Sequence, residues 1–280
     1  LARFFAIILL PLALIASEFE DFEFPEKLAK QGFFRKASIE YLRYAYENPQ
    51  SNSSDLAKYR AGYYLEKDGC YDQARNIYIE LTQNSLDSIA IGAYYRINNI
   101  DFLEGKLNRI ISFSTFKNLD CSTYCTECFE FQKGWALLLA RRYEQSGEIF
   151  DRISGSDLDS ASEFLSSLCM RGTDLPRRSP LFAASMSSII PGSGRAYCGR
   201  WGDAIVSFIS IAASLGGAYY LWEDDRGFAI GLTITGAFLY GGNVYGSYLG
   251  ARWFNEEKHR ELYRYAREKS PKIPEELYRF

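Results

Sequence analysis

The stretch PGSGRAYCGRWGDA, Pro191 to Ala204, sets glycines at short intervals around two arginines, with an apolar run on its far side. Its reading decides the fold. A phosphate-cradling loop belongs to a nucleotide-binding domain, whereas a turn beside apolar helices needs no strand. A Walker loop requires G-x4-G-K-S/T, but Gly194-x4-Gly199 leads into Arg200 and Trp201. A dinucleotide fingerprint requires G-x-G-x-x-G after a strand, and Gly192, Gly194 and Gly199 give G-x-G-x4-G instead. The stretch therefore reads as a turn. Pro191 and the glycines break one apolar segment, Arg195 and Arg200 mark a basic edge, and Asp203 is placed to cap the next helix.

Downstream, residues 204–222 (AIVSFISIAASLGGAYYLW) and 227–249 (GFAIGLTITGAFLYGGNVYGSYL) form uncharged runs of 19 and 23 residues. A bilayer-spanning helix needs about 20. Only EDDR, residues 223–226, separates them, so they predict an antiparallel membrane hairpin, with Trp201, Trp222 and Trp253 near the helix ends. Gly242, Gly246 and Gly250 recur every fourth residue on the second helix, and Ser210, Ser214 and Ala218 on the first. In lipid, close backbone approach replaces the hydrophobic drive between helices, so these positions predict a packing seam, within the hairpin or between copies of the chain. Asn243, the one amide in the span, reads as an interhelical hydrogen bond.

Upstream, Ser179–Gly194 carries no charge. As a helix its 16 residues reach about 24 Å, short of the roughly 30 Å hydrocarbon core. The segment is either a third, short crossing or a re-entrant dip. Three crossings would put Arg195 and Arg200 in the cytoplasm with an exported N-terminal domain, whereas a plain hairpin leaves them on the side of that domain. Pro191, Gly192, Gly194, Tyr197 and Gly199 match a P-G-x-G-x-x-Y-x-G pattern. The region resembles small bacterial membrane proteins carrying that motif, related in style to the two-helix transmembrane domain family. The resemblance covers about 70 residues and implies topology rather than chemistry. Residues 251–280, with eight basic and six acidic side chains, predict a charged tail helix to about Lys269.

Residues 17–175 have a different texture, with charges and aromatics evenly mixed. KQGFFRKASIEYLRYAYENP aligns with EKDGCYDQARNIYIELTQN. Gly32, Phe34, Ala37, Tyr41 and Tyr44 match Gly69, Tyr71, Ala74, Tyr78 and Leu81 in spacing. Weaker copies follow at Gly105, Leu107 and Ile110, and at Arg141, Tyr143, Ser146, Phe150 and Ile153. The anchors at 32, 69, 105 and 141 are 37, 36 and 36 residues apart. The pattern resembles the tetratricopeptide repeat, including Gly62 and Leu65 on the first helix and Pro49 after the second. The family's period is about 34. The resemblance implies stacked helix pairs whose concave face holds a peptide or protein partner. The physics agrees: apolar residues recur at helical spacing, and no helix pair buries its apolar face alone.

The N-terminus opens with Arg3 and an apolar run from Phe4 to Ala16, too short to span a bilayer. Residues 1–16 predict a signal peptide, with Leu14 departing from the usual small residue before the cut. Six cysteines then bear on redox state. Cys121, Cys125 and Cys128 read C-x3-C-x2-C, which resembles the cluster motif of radical S-adenosylmethionine enzymes and implies three thiolates on one iron–sulfur cubane. Glu127 replaces the usual aromatic, and the motif lies between helical repeats rather than after a barrel strand. In an exported domain the favoured reading is disulfides among Cys70, Cys121, Cys125, Cys128 and Cys169.

A net charge of −3 argues against a nucleic-acid partner, and the lone histidine, His259, against His-dependent triads. The sequence predicts an all-α protein: a tetratricopeptide-like solenoid, then a two- or three-segment α-helical membrane domain at 179–250. It predicts a non-enzymatic scaffold in the bacterial inner membrane, its repeats periplasmic, without a cofactor. The partner is a protein or peptide, and the glycine seam admits a homo-oligomer. The alternatives are a redox or metal protein using Cys121, Cys125 and Cys128, and a small transport component using Asn243.

Overall fold

The repeated glycines set the architecture. The computed structural model describes residues 22–84, 88–112, 123–154 and 157–271. In it Gly32, Gly69 and Gly105 hold left-handed backbone angles (φ +83°, +81° and +68°), and Arg141 holds the same region at φ +62°. Each ends a helix with the same two bonds. At the first, the Gly32 N–H donates to the Ala29 carbonyl (2.9 Å) and the Phe33 N–H to the Leu28 carbonyl (3.0 Å). Gly69 with Cys70, Gly105 with Lys106, and Arg141 with Arg142 repeat the pair. This is the Schellman ending, in which a left-handed residue turns two orphan carbonyls back onto the chain. The sequence period is thus a period of turns.

The chain is all-α, and no strand occurs among the described residues. Contacts divide it into two units, one extending to Ser167 and the other Leu168–Lys269. In the first are α1 (Glu23–Lys30), α2 (Phe34–Glu47), α3 (Ser54–Lys67), α4 (Tyr71–Asn84), α5 (Ser88–Leu103), α6 (Leu107–Ser112), α7 (Thr123–Leu139) and α8 (Tyr143–Phe150). A ninth helix, α9 (Asp159–Thr173), spans the division. Each of α1 to α7 packs on the next, and α5 also meets both α3 and α7. This is a helical-repeat stack. Ala37, Ala74, Tyr41 and Tyr78 are fully buried, and Phe34 and Tyr71 half-buried. Gly62 shows why small residues recur: a Cβ there would lie 2.7 Å from the Tyr78 ring. Gly134, 72 residues later, stands in the same relation to Phe150, also at 2.7 Å.

The second unit holds α10 (Pro180–Ile189), α11 (Ser193–Tyr197), α12 (Trp201–Tyr220) and α13 (Arg226–Lys269). Helices α12 and α13 are long and apolar enough to cross a membrane. Both α10 and α12 pack along α13. Three details differ from the sequence reading. The hairpin's second helix and the tail are one helix of 44 residues, because nothing near Gly250 breaks it and Ala251 is buried. The first spanning helix begins at Trp201, so Asp203 is not its N-cap; Asp203 sits in the first turn, ion-paired with Arg200. The uncharged segment from Ser179 is a helix of only ten residues, opened by a Ser179 cap and Pro180.

Candidate functional site

The turn between α10 and α12 is the most constrained place in the second unit. Gly192 is left-handed at φ +88°, and a Cβ on it would lie 2.3 Å from the Ala204 carbonyl oxygen. A Cβ on Gly194 would lie 1.9 Å from the Ala183 carbonyl oxygen. Both positions therefore exclude any side chain. The turn is then keyed to α13 by polar groups. Asn243 accepts from the Gly192 N–H (3.0 Å) and donates to the Ser187 carbonyl (3.2 Å). The Ser187 hydroxyl accepts from the Gly194 N–H (2.9 Å) and meets the Ser247 hydroxyl at 2.7 Å. Tyr240 donates to the Ser188 carbonyl. Asn243, Ser187 and Ser247 are buried, so their hydrogen bonds form away from bulk water and would be costly to leave unmade.

These contacts also give the path of the chain. Arg178, before α10, is held by Asn255: its N–H donates to Asn255 Oδ1 (2.8 Å), and Asn255 Nδ2 donates to its carbonyl (2.9 Å). Ser187 and Ser188, at the other end of α10, reach Ser247, Asn243 and Tyr240. The chain then returns, with Arg195 against Gly246 and Cys198 and Arg200 beside Gly250. The segment enters and leaves at nearly the same level of α13, beside Asn255 and Gly250. It is re-entrant relative to that helix and does not run its length.

The remaining motif residues find places here. Gly199, at φ +81°, ends α11 with the same two-bond turn as the repeats. Pro191 is half-buried at the turn. The Tyr197 ring meets Phe182 edge-on at 5.3 Å, and its hydroxyl accepts from the Ser179 N–H at 3.4 Å. Of the three seam glycines, Gly246 and Gly250 are covered by the returning segment, whereas Gly242 faces open space. The tight points between α12 and α13 are elsewhere. A Cβ on Gly236 would come within 2.6 Å of Leu215, and one on Gly217 within 3.2 Å of Leu232.

The repeat unit carries a second ordered arrangement, which the sequence reading missed. Arg60, Arg96 and Gln132 are 36 residues apart, each nine before a turn residue, and all are buried. Each reaches back to the preceding first helix. Arg60 pairs with Glu26, which also accepts from the Tyr41 hydroxyl (2.6 Å) and the Tyr64 hydroxyl (3.1 Å). Arg96 makes a two-pronged pair with Glu66. Gln132 donates to Asn99 (2.6 Å) and accepts from Asn98 (3.1 Å). Beside the central rung, burial pushes the Tyr59 phenol up to about 12, more than Arg96 draws it down. Tyr41, Tyr64 and Tyr78 are raised by burial as well. The signal that could have found this row is the fixed offset of a polar residue from each turn.

Cys121 and the side chain of Cys125 lie outside the described residues, as does the 1–16 segment. No disulfide joins the cysteines whose side chains are described, Cys70, Cys128, Cys169 and Cys198. The expected disulfides thus gain no support. Cys169 lies on α9, whereas Cys70 and Cys198 lie in the turns before α4 and α12, and the Cys70 thiol lies 3.5 Å from the Asp68 carboxylate. No cluster of three metal-ligating side chains occurs among the described residues. Comparison with protein-family models, curated proteins and solved structures finds no match.

Proposed function

We propose that this chain is a membrane-anchored, tetratricopeptide-like scaffold that binds a partner protein or peptide at the bacterial inner membrane. The observation that carries the reading is the junction, in one chain, of a regular helix-pair stack and a long apolar hairpin. Contact of the first helix α5 with α3 on one side and α7 on the other favours a partner face lined by first helices. The apolar side chains of α12 and α13 that point outward, among them Phe208, Phe238 and Tyr219, favour a lipid surround. No residue is assigned a catalytic role. Asn243 is spoken for on both sides of its amide, which favours a structural role over a transport path. We place the repeat unit in the periplasm on the strength of the N-terminal export signal.

Vesicle flotation of the full chain, with reporter fusions after Ser179, Asp225 and Phe280, tests the anchor and its orientation. Flotation with periplasmic activity at 179 and 280 and silence at 225 is expected. Activity at 225 alone would reverse the orientation and keep the anchor; failure to float would remove the anchor. A photocrosslinker at Tyr63, on first helix α3, is expected to give one discrete adduct in cells. An adduct only from Tyr46, on α2, would overturn the assigned face.

A further inference from the structure

We propose that a row of arginines along α13 binds the phosphate headgroups of anionic phospholipids. The row is built at one-turn intervals: Arg195 lies at Gly246, Arg200 at Gly250, and Arg178 over Phe254. The inference rests on the membrane reading above and names the lipid class that the anchor would select.

The charges are unbalanced. Arg200 is ion-paired with Asp203 and lies over the Trp253 ring at 5.8 Å. Arg178 and Arg195 have no carboxylate partner among the described residues. Both are half-buried, and the Nε of each is buried without an acceptor. A guanidinium drawn partly out of water without a counter-charge is costly, and an incoming phosphate removes that cost with the planar fork that arginine matches.

The side chains are also held in place. Arg178 stacks on the Tyr197 ring at 4.7 Å and the Phe254 ring at 5.3 Å, while Asn255 grips its backbone. Arg195 lies where a Cβ on Gly246 would come within 2.7 Å of its Nη2, so the missing side chain makes its bed.

The surroundings favour a lipid over a free anion. Leu181 and Phe182 are exposed on α10, and Trp201 and Trp253 are exposed at this end of the hairpin. Indole rings favour the headgroup level, and the exposed apolar side chains can meet acyl chains below it. A ligand that is anionic at one end and apolar at the other fits this surface.

The test uses the full chain in neutral detergent, titrated with phosphatidylglycerol, phosphatidylcholine or inorganic phosphate, and read by thermal unfolding. Phosphatidylglycerol is expected to raise the Tm, while the other two leave it in place. Arg195→Gln and Arg178→Gln should each weaken the apparent affinity for phosphatidylglycerol about tenfold, the loss of one phosphate–guanidinium contact. Arg252→Gln, an exposed neighbour with the same change of charge, should not. If either Gln variant fails to fold, Arg195→Lys and Arg178→Lys keep the charge and lose the fork, and should still weaken binding. An equal loss in Arg252→Gln, an equal shift with inorganic phosphate, or no shift with phosphatidylglycerol would overturn the proposal. A chain that floats with vesicles yet shows no phosphatidylglycerol preference rejects this site and keeps the anchor. A chain that does not float rejects both.

Discussion

The two units bury opposite kinds of residue. In the repeat unit the largest side chains go inside: Trp135, Tyr41, Tyr78 and Phe150 are all but fully buried. Charge follows them only in pairs, as with Arg96 and Glu66. In the second unit the interior of the hairpin is mostly small, with Ala204, Ala218, Ala229, Gly236 and Ser247 buried beside Ile211 and Asn243, while Tyr219 is 88% and Phe238 78% exposed. Water drives the first pattern, because burying large apolar surface gains most there. The second is what helices do when the surroundings are already apolar, where close approach of backbones supplies the attraction. The same aromatic-rich alphabet is sorted inward in one unit and outward in the other.

The contrast can be broken by exchange. The largest effect is expected from Glu66→Ala, which strands the buried Arg96 charge. Removing one member of a buried pair costs about 3–5 kcal/mol, so hydrogen exchange in α3 and α5 of the full chain should accelerate by two or more orders of magnitude. Unchanged protection would mean that water reaches the pair. Next comes Phe238→Lys, expected to oppose membrane insertion by about 2.5–3.5 kcal/mol if its face meets lipid. The matched change Tyr46→Lys, on the repeat unit at 87% exposure, should stay within about 0.5 kcal/mol. Alkaline extraction and thermal unfolding compare the two, and equal tolerance would put water around both.

The third test is alkaline titration. Burial holds the Tyr59 phenol near 12 when folded, against an ordinary value of 10. The unfolded chain therefore loses its proton first, and stability that is complete below pH 10 falls as pH rises toward 12. The loss is on the order of 2 kcal/mol for this group, and urea unfolding across that window should show it, less so in Tyr59→Phe. The smallest effect is expected from Arg141→Gly. A non-glycine residue in the left-handed region costs about 1–2 kcal/mol, so this change should stabilise by about 1 kcal/mol, whereas Gly69→Ala at the equivalent turn should destabilise.

The turns and the apolar runs were legible because each is a local rule. Gly32, Gly69 and Gly105 announce a left-handed residue, and the spacing of Ala37 and Ala74 announces a crossing. Arg141 was found only through the period, since its own side chain argues against the conformation it holds. What escaped is pairing over distance. Arg60 and Arg96 read alone as solvated residues, and only their partners Glu26 and Glu66, some 30 residues earlier, account for their burial. In the turn, Asp203 looked like a cap because aspartate favours that position; the helix starts two residues earlier, at Trp201, and Asp203 sits in its first turn, ion-paired with Arg200. Asn243 read correctly as an interhelical hydrogen-bonding residue: from α13 it reaches the Ser187 carbonyl at the end of α10, and it also holds the Gly192 turn.

Helix α13 runs unbroken through 44 residues, about 66 Å at 1.5 Å per residue, and so outruns a hydrocarbon core of about 30 Å by more than half its length. The charged segment beyond Gly250 is thereby clocked to the hairpin, with each residue's compass bearing fixed by its count from the turn. One residue inserted after Gly250 would swing every later side chain by about 100° and push it out by about 1.5 Å, leaving the hairpin itself untouched. The direction in which Leu262 and Ala266 face is therefore fixed by their count along the helix from Asn243 and Ser247.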